Sequence, residues 1–216
     1  MKSILVIGLG RFGRHLCQKL MSLNNEVMIV DRNEEAVNAL ANEVTSAQIA
    51  DCTDENVLRS LGVHNFDMCF VCIASDFTSS LLITSLLKDM GAKRIIAKAS
   101  RDIQARLLLR NGADEVIYPE RDSAERTAIR HSAQNVFDYI ELSDEYSIYE
   151  IPPLENWVGR SIREVDVRNR FKINILAIKS GGELRPLPGA DYVFTNRDHL
   201  LALASREDAR KLLRKI

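Results

Sequence analysis

No apolar run in this 216-residue chain approaches the ~20 residues needed to cross a bilayer as a helix, so direct membrane insertion is not expected. The apolar start "ILVIG" meets Arg11 too early for a secretory signal, which makes a cytoplasmic protein the expectation. An excess of charge of either sign is also missing. With a net charge of −1, no global field draws the chain to nucleic acid or anionic lipid, and the mildly basic end "SREDARKLLRKI" reads as a solvated helix face. Cysteine is scarce: Cys17, Cys52, Cys69 and Cys72. The last two have CxxC spacing inside the strand-like "DMCFVCIA". Strand positions three apart face opposite sides, so a shared metal or disulfide is not expected there.

Catalytic signatures are absent as well. There is no P-loop, no GxSxG and no HExxH. A short-chain dehydrogenase would carry a lysine four residues after its tyrosine. Four residues beyond Tyr118, Tyr139, Tyr146, Tyr149 and Tyr192 stand Asp122, Ser143, Glu150, Pro153 and Asn196. His15, His64, His131 and His199 have no carboxylate orienter at catalytic sequence spacing. The pattern is that of a protein that binds a ligand without transforming it. A transcriptional regulator is disfavoured because no basic helix-turn-helix segment follows.

What is present is an alternation of strand-like and helix-like segments over the first ~140 residues. The strands are "SILVIG", "EVMIVD", "TSAQIA", "FDMCFVCIA", "RIIAKA" and "EVIYP". Between them lie the helices "RFGRHLCQKLMSL", "NEEAVNALANE", "DENVLRSLG", "DFTSSLLITSLLKDMG" and "IQARLLLRNG". Short apolar runs joined by helical crossovers predict an α/β fold, a Rossmann-like doubly wound parallel sheet covered on both faces. "DSAERTAIRHSAQNVFDYIEL" then predicts one or two helices leading away. Beyond it come Pro152, Pro153, Pro186, Pro188, a β-hairpin in "INILAIKSGGELRPL", a strand "DHLLALAS" and a closing helix. The domains expected are 1–140 and 141–216, the second a smaller α+β module.

Gly8, Gly10 and Gly13 form GxGxxG after a strand and at the opening of a helix, the context in which that motif seats a pyrophosphate. Asp31 ends the second strand near the ~20-residue spacing expected for a carboxylate on the adenosine ribose. It disfavours a 2′-phosphate, and Arg32 beside it could offset that. Asp51 and Cys52 end the third strand, on the adenine side. Ala74, Ser75 and Lys98 end the fourth and fifth at the same edge. Arg11, inside the glycine turn, is placed to pair with a phosphate beyond the pyrophosphate, as in ATP.

The motifs "VIGLGRFG", "VDRNEE", "IADCTDEN", "LGVHNFD", "KRIIAKA", "GADEVIYPERD", "LSDEYSI" and "ILAIKSGGEL" span nearly the whole chain. Together they resemble the KtrA/TrkA-type regulatory subunits of bacterial potassium uptake, built from RCK-N and RCK-C domains. The resemblance implies a cytosolic homodimer assembling into an octameric ring beneath an integral membrane potassium-translocating subunit of the Trk/Ktr type. It implies gating by exchange of ATP and ADP. An NAD(H)-binding redox sensor, or a small NAD-dependent oxidoreductase, is the alternative. By the same resemblance, Gly10, Arg11, Phe12 and Lys98 contact phosphates, Asp31 the ribose, and Asp51 and Cys52 the adenine. Glu120 helps hold Mg²⁺ or Ca²⁺. In the smaller domain, Arg168, Ile175 and Pro188 correspond to cyclic di-AMP contacts.

Overall fold

A computed structural model describes residues 1–132, 137–143 and 145–214. The chain divides into two compact units, Met1–Asp122 and Ser123–Ile216. The helix over Pro119–Ser132 runs through that division.

Unit 1 contains β1 (Ser3–Ile7), α1 (Arg11–Ser22), β2 (Glu26–Asp31), α2 (Glu34–Asn38), β3 (Ser46–Ile49) and α3 (Glu55–Leu61). It continues with β4 (Met68–Val71), α4 (Phe77–Asp89), β5 (Ile95–Lys98), α5 (Asp102–Arg110) and β6 (Glu115–Ile117), and reaches the start of α6 (Pro119–Ser132). The strands form one parallel sheet in the order β3-β2-β1-β4-β5-β6. Strand order therefore reverses between β1 and β4, the place where ligands bind in open α/β sheets.

Alternate residues feed two cores. Ile4 and Val6 pack with Cys17, Ile29, Val37 and Leu40 on the face that α1 and α2 cover. Leu5 and Ile7 pack with Leu58, Ile83, Leu87 and Leu108 on the face covered by α3, α4 and α5. Cys69 lies in the second core and Cys72 in the first, so the CxxC pair is split across the sheet. Burial pushes all four thiols up to about 12, which leaves them protonated.

Unit 2 contains β7 (Asp138–Glu141), β8 (Tyr146–Ile151), α7 (Ile162–Val165), α8 (Val167–Phe171), β9 (Asn174–Ser180), β10 (Glu183–Pro186), β11 (Asp198–Ser205) and α9 (Arg206–Leu213). Its strands form an antiparallel sheet in the order β10-β9-β11-β8-β7. Trp157, 1% exposed, anchors the core against Phe171 and Phe194. The hairpin expected around Gly181 and Gly182 is β9–β10.

Two sequence expectations are corrected. "FDYIE" does not continue a helix; it is the edge strand β7, paired with β8. "NEEAVNALANE" is helical only over Glu34–Asn38, after which turns carry Leu40 into the core. The segment between Ser132 and Phe137 lies outside the described residues, as does the side chain of His131.

Asp198 is a buried carboxylate at the start of β11. It accepts hydrogen bonds from the Thr195 N–H at 2.8 Å, the Thr195 hydroxyl at 2.7 Å and the Tyr192 hydroxyl at 3.0 Å. Burial pushes its pKa up, but the donors on Thr195, Ser180 and Tyr192 together outweigh burial and hold it below the usual range. A depressed folded-state pKa stabilises above the unfolded-state value of about 4, and that stability is lost as pH falls through the folded value. Asp198→Ala is expected to cost unit 2 about 2–3 kcal/mol at neutral pH by orphaning these donors. The deficit should shrink in acid, and thermal melts of both proteins across pH check it.

Candidate nucleotide site

Helices α2, α3 and α4 each begin with a side-chain cap: Asn33 on the Ala36 N–H, Asp54 on the Asn56 N–H and Asp76 on the Ser79 N–H. Helix α1 does not. It begins at Gly10, which has no side chain to offer, so its first-turn N–H groups are left for an external acceptor. The turn before it is shaped by glycine. Gly8 has φ +96°, and a Cβ there would meet Ile73 Cγ1 at 2.9 Å. A Cβ on Gly13 would lie 2.1 Å from the Gly8 carbonyl oxygen, so only glycine lets α1 sit this close to the turn. A Cβ on Gly10 would meet nothing within 4 Å.

Asp31 ends β2 beside this turn. Its Oδ2 accepts the Leu9 N–H at 2.6 Å and its Oδ1 accepts the Asn33 N–H at 2.9 Å. Each carboxylate oxygen keeps a lone pair for a further donor. Asp51 is exposed, and its pKa is lowered chiefly by the Thr53 N–H and hydroxyl. Cys52 follows it with its thiol buried in the core. Asp76, lowered by its hydrogen bonds to Ser79, and Asp51 both feel the positive charge of Arg32, whose field is thus already partly answered. Ala74 and Ser75 are exposed after β4.

Lys98 is the one buried cation among the described residues, 7% exposed at the end of β5. Its Nζ donates to Glu120 Oε1 at 2.5 Å and stands 5.8 Å from the centre of the Phe12 ring. Glu120, in the first turn of α6, is held below the usual carboxylate range by the Lys98 hydrogen bond first, with smaller help from Arg11. The fold thus brings Arg11, Phe12, Lys98 and Glu120 to one edge, at the mouth of the glycine turn. Sequence reading named these residues singly and missed that Lys98 and Glu120 pair. It also missed Arg14, whose Nε donates to the Leu9 carbonyl at 2.9 Å.

Residues 4–119 match the TrkA-N domain family and residues 146–216 the TrkA-C domain family. The chain belongs to the TrkA-N/TrkA-C family. This TrkA-family protein is 39% identical over 215 residues to the Ktr system potassium uptake protein C of Bacillus subtilis (strain 168), a match covering 100% of this chain and 97% of that protein. It is also 39% identical over 210 residues to the Ktr system potassium uptake protein A of the same strain, covering 97% and 95%. Among solved structures, the GsuK RCK domain superposes with a TM-score of 0.71 at 22% identity over 100% of this chain, and the GsuK channel bound to NAD with 0.70 at 20% over 96%. This chain spans less than half of either of those chains, 47% and 38%, and the likeness shows the RCK fold.

In the smaller domain of the TrkA-family protein, Arg168 is exposed and its Nη2 donates to Asn174 Oδ1 at 2.9 Å. Ile175 is half-buried against the core, and Pro188 is half-buried in the loop after β10. His199 meets a carboxylate far away in the sequence. Its Nδ1 lies 2.8 Å from Glu150 Oε1, and its ring stacks on Phe137 at 3.9 Å.

Proposed function

We propose that this protein is the nucleotide-sensing regulatory subunit of a potassium-uptake system, and that it binds an adenine nucleotide without turning it over. The observation carrying this reading is the uncapped start of α1 at Gly10, flanked by Arg11 and the buried Lys98 at the switch point of the sheet. Its full-length similarity to Ktr potassium uptake proteins supports the same reading. The diphosphate is held by the first-turn N–H groups of α1 and by Lys98, the ribose by Asp31, and the adenine near Asp51 and Cys52. Arg11 meets the γ-phosphate.

Binding then exchanges partners. A phosphate draws Lys98 away from Glu120 and frees the first turn of α6. Among the described residues no three His, Cys, Asp or Glu side chains gather to hold a metal. A Mg²⁺ or Ca²⁺ ion at Glu120 would therefore take most of its ligands from phosphate oxygens and water, a common arrangement for Mg²⁺. In this reading a dimer assembles into an octameric ring under its membrane partner. ATP and ADP shift the ring only by their differential affinity for its two states. Arg168, Ile175 and Pro188 are assigned to a cyclic di-AMP site in the smaller domain.

Titration of the purified protein with ATP, ADP and NADH tests the reading. Saturable ATP and ADP binding without hydrolysis is expected, and NADH binding alone would move the protein to the redox-sensing alternative. Arg11→Ala should weaken ATP by about tenfold, the loss of one charge-assisted contact, and leave ADP nearly unchanged. Equal weakening of both would remove Arg11 from the γ-phosphate.

A further inference from the structure

Both polar groups of one loop residue are gripped by charged side chains. The Leu9 N–H donates to Asp31 Oδ2 at 2.6 Å, and the Leu9 carbonyl accepts from Arg14 Nε at 2.9 Å. The grips come from two different elements, Asp31 at the end of β2 and Arg14 near the start of α1. Gly10 has no side chain, and a Cβ there would meet nothing within 4 Å, so no side-chain packing at Gly10 fixes the peptide between Leu9 and Gly10. Turned over, that peptide would aim a carbonyl dipole at an incoming anion in place of an N–H. Arg14 is itself exposed, so its hydrogen bond is not needed to satisfy a buried charge.

We infer that Arg14 is a positioning residue of the nucleotide site. Its hydrogen bond to the Leu9 carbonyl holds the Leu9–Gly10 peptide, while Asp31 holds the preceding Gly8–Leu9 peptide through the Leu9 N–H, so that the N–H groups opening α1 face the diphosphate. The inference rests on the nucleotide reading above and adds a residue that does not itself need to touch the ligand.

The chemistry of the side chain supplies the test. Glutamine places its amide nitrogen the same number of bonds from Cα as arginine places Nε, so Arg14→Gln keeps the donor and loses the charge. Arg14→Met loses both, and Arg14→Lys keeps the charge without a planar donor at that position. ADP and adenosine are titrated into the full-length wild type and each variant. Melting of the unliganded proteins and amide hydrogen exchange over Leu9–Phe12 are followed in parallel.

Arg14→Met is expected to weaken ADP by about fivefold to tenfold. Adenosine affinity and unliganded melting should not change, and exchange at the loop should rise. Arg14→Gln should stay within about twofold of wild type on ADP. Wild-type ADP affinity in Arg14→Met overturns the inference, as does rescue by lysine but not by glutamine, which would make Arg14 a charge for the phosphates. If the wild type binds no adenine nucleotide, the functional reading fails. The exchange measurement then decides the clamp by itself, and unaltered exchange in Arg14→Met rejects it.

Discussion

Gly13→Ala is expected to unfold or severely loosen unit 1, with a loss of about 3 kcal/mol or more. The added methyl would sit 2.1 Å from the Gly8 carbonyl oxygen and 3.4 Å from Cys72 Cβ. The first of these is backbone in a turn that already holds φ +96°, so it cannot move aside as a flexible side chain would. Helix α1 would have to lift from the sheet, taking Cys17 out of its core. Gly10→Ala is the matched control. Its φ is −63° and the space around it is open, so the protein should fold and melt normally. The methyl would instead occupy the approach to the α1 N–H groups and weaken ADP. Thermal melts and ADP titrations of the two proteins separate the two effects, and a Gly13→Ala protein with wild-type melting would refute the packing argument.

The second large effect is a pair of opposite signs. Lys98→Met should weaken ADP by about 10- to 100-fold, the range expected for losing a hydrogen bond from a charged, desolvated donor. Methionine fits the buried stem, so the fold should survive. Glu120→Gln should act the other way without divalent metal. The carboxylate that occupies Lys98 in the unliganded protein would be gone, and ADP should bind about threefold tighter, a modest gain because Glu120 is largely exposed. With Mg²⁺ or Ca²⁺ present, the same variant should lose any metal enhancement of ATP binding. Titrations in chelator and in excess metal read both arms. Weaker ADP binding by Glu120→Gln in chelator would reject the competition between the carboxylate and phosphate for Lys98.

Much of unit 1 was legible because its signals are local. The strands are short apolar runs between turn residues, and Asn33, Asp54 and Asp76 stand where helix caps should. Where local signal was poor, the reading failed. "DYIE" carries charged residues at both ends and follows a helical stretch, so its pattern did not separate it from that helix. It is a strand because β8 offers a partner edge. The helix after Asn33 stops at Asn38 because Leu40 has a core to reach, which periodicity along the chain does not reveal.

The linear order of residues established the glycine turn, the carboxylate of Asp31 at the end of the next strand and the alternation of strands with crossovers. Each depends on spacing within a few turns of backbone or on the short apolar runs that a doubly covered sheet demands. Only folding decided that Lys98 would be buried against Glu120 across 22 residues, that Arg14 and Asp31 would converge on Leu9, and that His199 would find Glu150 across 49. Lys98 meets Glu120 because β5 and β6 lie side by side, and His199 meets Glu150 because β11 pairs with β8 and not with its chain neighbour β10.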